Sequence, residues 1–338
     1  MSYVKKLEFG NYTLKFGNKK VLLDLFNEVV MPSFFEMKYI RHLENKGEYF
    51  FLDTNLIKLD DNPKNPVIGI SGRIVKNTKL RRDQIFRHTE GIIEDKKELE
   101  TAPSSTFLLI LNNHRLILCK EVPGAPTIQN FESTSLYCLK QRHKEYVDEL
   151  YKSQDLEDPA RKKVTKKLLL ENNPYPTLRI TPLSDKQSLE DFINRFRHID
   201  KLTIKLLPTN NEEIDNDGFW ADFGKVSHNM NSKSAKVEFS NTKEGLDSET
   251  VYAQASFASN NGNSEINIKG SDNQGDTISG NNEDFSLTVE LEELSRDTKQ
   301  AAKVKYNQFK HLSELGIIAQ PQVSPDTLDK VKMIFNKL

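Results

Sequence analysis

Apolar and polar residues alternate from Tyr3 to Phe9 and again from Tyr12 to Phe16, on either side of Gly10-Asn11. That pattern predicts two short strands joined by a hairpin turn. From Val21 to Met31 the apolar spacing becomes helical, and Pro32 is expected to close the segment, because a proline disfavours helical geometry in the residue before it. Glu48 to Leu59 and Val67 to Val75 predict further strands, separated by the turn-rich run Asp60-Asp61-Asn62-Pro63-Lys64-Asn65-Pro66. Two apolar runs, Phe107 to Leu111 and Leu116 to Cys119, flank Asn112-Asn113-His114 and predict a hairpin over Ser105 to Lys120. A helix over Glu132 to Tyr151 follows.

The pattern weakens between Asp155 and Pro176, where prolines and a basic block interrupt it. Such composition marks an exposed connection. We therefore expect a strand-rich domain over 1–154, a basic, proline-containing linker over 155–176, and a second α+β domain with C-terminal helices over 177–338. In that second part strands and helices alternate: strand Leu178 to Pro182, helix Ser188 to Arg197, strand Leu202 to Leu207, helix Gly218 to Asn231, strand Ala235 to Phe239, helix Ser248 to Ser259, strand Glu265 to Lys269. The alternation predicts a mixed sheet with at least one parallel crossover. A polar, glycine-bearing loop is expected over Gly270 to Asp284, then a strand over Phe285 to Leu291, a helix over Ser295 to Leu315, and a last helix opening at Ser324-Pro325-Asp326. Ser324 can cap that helix and Pro325 suits its first position. The fold class is α+β.

Composition narrows the function classes. The 338 residues carry 48 Lys and Arg against 49 Asp and Glu, a formal net charge of -1, which excludes a polycationic nucleic-acid coat. No run approaches the 18 apolar residues of a spanning helix, and the start does not read as a secretion signal, so we expect a cytoplasmic protein without membrane contact. Cys119 and Cys138 both sit among apolar neighbours and read as buried, reduced thiols. The near-zero charge averages over unlike segments: basic blocks at 76–88 and 161–167 are offset by acidic stretches such as Glu212 to Asp217 and Glu290 to Glu293.

Three patterns carry candidate chemistry. Phe50-Phe51-Leu52-Asp53-Thr54-Asn55 resembles the opening strand of PIN-type ribonucleases, in which an Asp at a strand end helps hold a divalent metal; the alternative is an Asp that starts a turn. Asp83 with Glu94-Asp95-Lys96 resembles the D…E-x-K pattern of restriction-type nucleases, where two carboxylates bind Mg²⁺ and the lysine orients the attacking water; the alternative is a solvated, mixed-charge helix face. A third pattern is cationic: Lys79, Arg81, Arg82 and Arg87 in one cluster, and Lys162, Lys163, Lys166 and Lys167 in another, offer local phosphate contacts. Either cluster can instead be a solvated helix or linker. No phosphate loop, nucleophile elbow or H-E-x-x-H pair occurs. Asp272 and Asp276 in the Gly270 to Gly280 loop lack the regular acid spacing of calcium loops.

The strand Leu202 to Leu207 with Pro208-Thr209-Asn210-Asn211, the later Asn261-Gly262, and the hairpin Asn113-His114-Arg115-Leu116 resemble an uncharacterised bacterial domain-of-unknown-function family associated with phage-defence or mobile loci. The resemblance implies no catalytic residue; its setting implies nucleic-acid or partner binding. The leading expectation is thus a non-enzymatic binding component of a bacterial defence or regulatory system. It would contact DNA or RNA through the two basic clusters, without a cofactor, beside a possible operon-encoded protein partner. The alternatives are a Mg²⁺-dependent nuclease using Asp83, Glu94 and Lys96, and a self-assembling, homo-oligomeric interaction subunit that pairs through exposed strand edges.

Overall fold

The computed structural model describes residues 3–35, 37–44, 46–157, 164–207, 218–230, 232, 234–259 and 262–338. The chain opens with strands β1 (Lys5–Phe16) and β2 (Lys20–Val21), a 3-10 turn (Leu22–Leu25), a π turn (Phe26–Val30) and α1 (Met31–Phe34). Strands β3 (Arg41–Leu43), β4 (Gly47–Asp60), β5 (Val67–Arg87), β6 (Gly91–Thr101), β7 (Ser104–Ile110) and β8 (Arg115–Lys120) follow, then α2 (Ile128–Glu157) and α3 (Lys166–Asn172). The remainder comprises β9 (Pro176–Pro182), α4 (Lys186–Ile193), β10 (His198–Leu206), α5 (Gly218–Asn229), β11 (Ala235–Ser240), α6 (Ser248–Ser259), β12 (Ser264–Ser271), β13 (Thr277–Asn281), β14 (Thr288–Leu291), α7 (Thr298–Glu314) and α8 (Pro325–Phe335).

These elements form an α+β fold with two antiparallel sheets. The larger has the order β14-β1-β8-β7-β5-β4-β3, with β2 and β9 also on β1 and β6 on β5. Over β1, β7 and β8 both of its faces are covered. Tyr12, Leu14 and Phe16 of β1 join Phe107 and Leu109 of β7 and Leu116 and Leu118 of β8 in one core with Phe26, Phe34, Phe131, Leu139 and Val331. Their sequence neighbours Leu7, Phe9, Leu108, Ile110, Ile117 and Cys119 point the other way, against Ala301, Ala302, Phe309 and Leu312 of α7. A strand buried on both faces reads as a continuous apolar run, which is why β7 and β8 look as they do in the sequence. Both cysteines are free and buried.

β1 is a single strand and not the hairpin that Gly10-Asn11 suggested. A Cβ at Gly10 would stand 2.9 Å from Ile180 Cγ2, so the glycine admits β9 to the edge of β1, where Gly10 faces Pro182 and Phe16 faces Pro176. The helical segment also runs beyond Pro32, which occupies the first turn of α1, where its missing N–H leaves no internal bond unmade. A register shift between Leu52 and Asn55 marks a bulge in β4, with Asp53 at φ 51°. The bulge reverses the facing, so Phe51 enters the first core and Ile57 the second.

The smaller sheet, β11-β10-β12-β13, buries one face under α4 and α6 through Leu202, Ile204, Ile266, Ile268, Phe192 and Ala255. Its neighbours pair antiparallel throughout, which corrects the expected mixed sheet. β11 and β12 do run in the same direction, but β10 lies between them, so the α6 crossover spans an intervening strand. The expected loop over Gly270 to Asp284 holds β13, and Asp272 accepts from Gln274 N at 2.8 Å and Asp276 N at 3.0 Å, serving its own turn. The larger sheet draws strands from both sides of the expected 155–176 connection, since β9 and β14 both pair with β1. Among the described residues no helix is long and apolar enough to cross a membrane.

Candidate interaction site

β5 spans 21 residues. Its first part lies between β4 and β7, whereas from Thr78 onward it pairs with β6 and the two strands form a ribbon. Arg87 faces Gly91 across the ribbon's turn, and Gly91 adopts φ 74°, a conformation that glycine takes without steric cost. Cations of β5 face carboxylates of β6 or the turn: Lys79 Nζ lies 3.1 Å from Glu98, Arg81 Nε 3.2 Å from Glu98, and Arg87 Nη1 3.3 Å from Glu90, while Arg82 pairs with Asp95. The hydrogen bond from Lys79, with the charges of Lys79 and Arg81, holds the Glu98 carboxyl below its ordinary pKa.

Four large apolar side chains on this ribbon remain in water: Leu80 is 58% exposed, Phe86 65%, Ile92 70% and Leu99 66%. Leu80 sits opposite Leu99 and Phe86 opposite Ile92. Residues 80, 82, 84 and 86 share a face by the two-residue period of a strand, and cross-strand partners share it too. The face therefore carries Phe86 and Ile92 at the tip, Leu80 and Leu99 at the base, and Arg82, Gln84, Glu94 and Lys97 between them.

The same geometry places each predicted residue. Asp83 lies next to Gln84, which faces Glu94, so Asp83 and Glu94 point to opposite faces of the ribbon and do not converge. Lys96 Nζ is 2.5 Å from Glu94 Oε1, both exposed. Among the described residues no group of three or more His, Cys, Asp or Glu side chains could hold a metal ion. The segment read as a mixed-charge helix face is strand β6, and Glu98-Leu99-Glu100 belongs to it. Lys166 opens α3 and lies 2.8 Å from Asp148 of α2; Lys167 follows it on the same helix and is exposed. Lys162 and Lys163 lie outside the described residues, as do the acidic stretch 212–217, Pro208 to Asn211 and Asn261. The Asp53 carboxylate is engaged as well: it accepts from Arg73 Nη1 at 2.6 Å, and Arg73 Nε reaches Glu121 at 3.1 Å.

A concavity of about 490 Å³ lies between the start of α2, β9 and the polar face of the smaller sheet. Its charges are engaged. Arg179 and Lys205 both pair with Glu265, Glu132 Oε2 accepts from Ile180 N at 2.7 Å, and Gln129 donates to Glu283 at 2.6 Å. Burial raises the Glu132 pKa. Sequence reasoning missed the ribbon as a unit, although a basic run, the turn His88-Thr89-Glu90 ahead of Gly91, and a mixed-charge run of similar length were its signal.

Comparison with known proteins adds a family. The model of the family described as Domain of unknown function (DUF4747) matches residues 18–306. No curated protein matches the chain.

Proposed function

The chain belongs to the DUF4747 family, and on that footing we propose that it is a non-enzymatic, self-assembling interaction subunit that acts through the β5–β6 ribbon. One observation carries this reading. The β5 cations Lys79, Arg81, Arg82 and Arg87 are engaged by the ribbon's own carboxylates, whereas Leu80, Phe86, Ile92 and Leu99 remain more than half exposed even though Leu80 faces Leu99 and Phe86 faces Ile92 across the ribbon. A two-stranded ribbon is marginally stable alone, and exposed apolar side chains clustered on it mark a contact surface. The setting is a bacterial defence or regulatory system in the cytoplasm, as the resemblance implied, with a second copy or an operon-encoded protein as partner. Phosphate binding through Lys79, Arg81, Arg82 and Arg87 has less support, because a nucleic acid would first have to displace their carboxylate partners.

Light scattering of the purified chain tests the reading. We expect a mass above 38.9 kDa, returning to that of one chain in a variant carrying both Phe86→Ser and Leu99→Ser with an unchanged circular dichroism spectrum. A wild-type protein that scatters as a single chain at every concentration would refute it.

A further inference from the structure

The outer edge of β6 is open: among the described residues β6 pairs only with β5. Open edges are templates for another strand. The sequence along this edge, Ile92-Ile93-Glu94-Asp95-Lys96-Lys97-Glu98-Leu99, complements itself when read backwards at three of its four pairs, Ile93 against Glu98 being the exception. Laid antiparallel about the point between Asp95 and Lys96, it sets Ile92 against Leu99, Glu94 against Lys97 and Asp95 against Lys96.

The bulge in the ribbon makes this match physically usable. Between the pairs Arg82–Lys97 and Gln84–Glu94, β6 contains one residue more than β5. An uninterrupted strand would send Ile92 and Leu99 to opposite faces, because they are an odd number of residues apart. The extra residue restores the phase, so that Ile92, Glu94, Lys97 and Leu99 all share the face of Leu80 and Phe86. A two-fold axis perpendicular to the ribbon preserves that face, and strand partners must share one.

We infer that the protein forms a closed, two-fold dimer in which β6 pairs antiparallel with β6 of a second copy, giving a four-stranded sheet of order β5-β6-β6-β5. This rests on the self-assembly reading above and specifies its partner and register. Across the shared face, Phe86 and Ile92 of one copy continue into Leu99 and Leu80 of the other, and the same row recurs at the symmetric end. The charged row between them pairs Glu94 with Lys97 of the second copy, twice. The outer edge of β5 cannot serve in the same way, since self-pairing there would bring together Lys79, Arg81, Arg82 and Arg87, and like charges directly opposite destabilise a sheet. A closed isologous contact consumes both open edges and stops at two copies, whereas β5 against β6 of another copy would propagate without limit.

Charge reversal tests the register. Glu94→Lys or Lys97→Glu alone sets like charges against each other at two symmetric positions and is expected to weaken dimerisation by roughly 10- to 30-fold. The double variant Glu94→Lys/Lys97→Glu restores opposition and is expected to recover the dimer. Sedimentation equilibrium of the full-length protein reads the constant, and circular dichroism checks each fold. Association that ignores both single reversals, or a double variant no tighter than the singles, overturns the register while leaving ribbon-mediated assembly standing. A wild-type monomer refutes both, as a mass that grows without limit refutes the closed dimer. Should a variant unfold, hydrogen exchange on the wild type decides instead. Amides of β6 gain protection with rising concentration if the edge pairs, and the dimer is refuted if they exchange at one rate throughout.

Discussion

Lys305 sits in the middle of α7 with no exposed surface and donates from Nζ to Thr106 Oγ1 at 2.8 Å. Burial lowers its pKa to about 8, because an ammonium loses its hydration in an apolar interior. Below pH 8 the folded and unfolded states both hold the proton, and the fold bears the full cost of the buried charge. Between about 8 and the ordinary lysine value near 10.4, the folded state has released a proton that the unfolded state retains. Stability contributed by this site therefore rises with pH across that window. A Lys305→Met variant is expected to exceed the wild type by about 1–2 kcal/mol at pH 7, after about 1 kcal/mol lost at the orphaned Thr106 hydroxyl. Urea unfolding at pH 7, 8, 9 and 10 should show the gap closing and then reversing; a constant gap would argue that the charge is not buried. The sequence shows a lysine within a helical pattern and nothing to distinguish it from its solvated neighbours. Its depth follows from α7 lying directly over β7.

At the level of elements, apolar periodicity located most helices and many strands, because those positions answer to local rules. Ser324 accepts from Thr327 N at 3.2 Å with Pro325 beside it, as the capping pattern implied, and α6 spans Ser248–Ser259 as expected. Elements whose logic is non-local were misread. Gly10 looked like a turn because glycine commonly marks one, yet its role is to admit β9. We expect Gly10→Val to destabilise the protein by about 1–3 kcal/mol through overpacking against Ile180, with a lowered urea midpoint; an unchanged midpoint would mean that β9 gives way freely. The ribbon was hidden for the same reason. Along the chain Lys79, Arg81 and Arg82 form a basic run and Glu94 with Lys96 a separate charged pattern, whereas the folded ribbon brings Lys79 and Arg81 to Glu98 and Arg82 to Asp95.

Considered whole, the chain closes on itself around β1. On one edge β1 holds β14 and then β9, both supplied from beyond residue 175, and on the other it holds β8. A fragment of residues 1–154 would lose β9, β14, α7 and α8, exposing the full length of one β1 edge and stripping Ala301, Ala302, Phe309 and Leu312 from the second core. We expect such a fragment to aggregate on expression. A soluble, cooperatively unfolding fragment would show that the first part folds alone and would support the expected division at 155–176. The α+β class, the buried cysteines and the core strands β7 and β8 were all legible in the chain, since each depends on composition or on the two- and 3.6-residue periods of neighbouring positions. Which strands stand side by side, which glycine is a gap and which a turn, and which charges are already paired depend on residues far apart in sequence. Those were settled by the packing of the folded chain, and the candidate site on the ribbon is of that second kind.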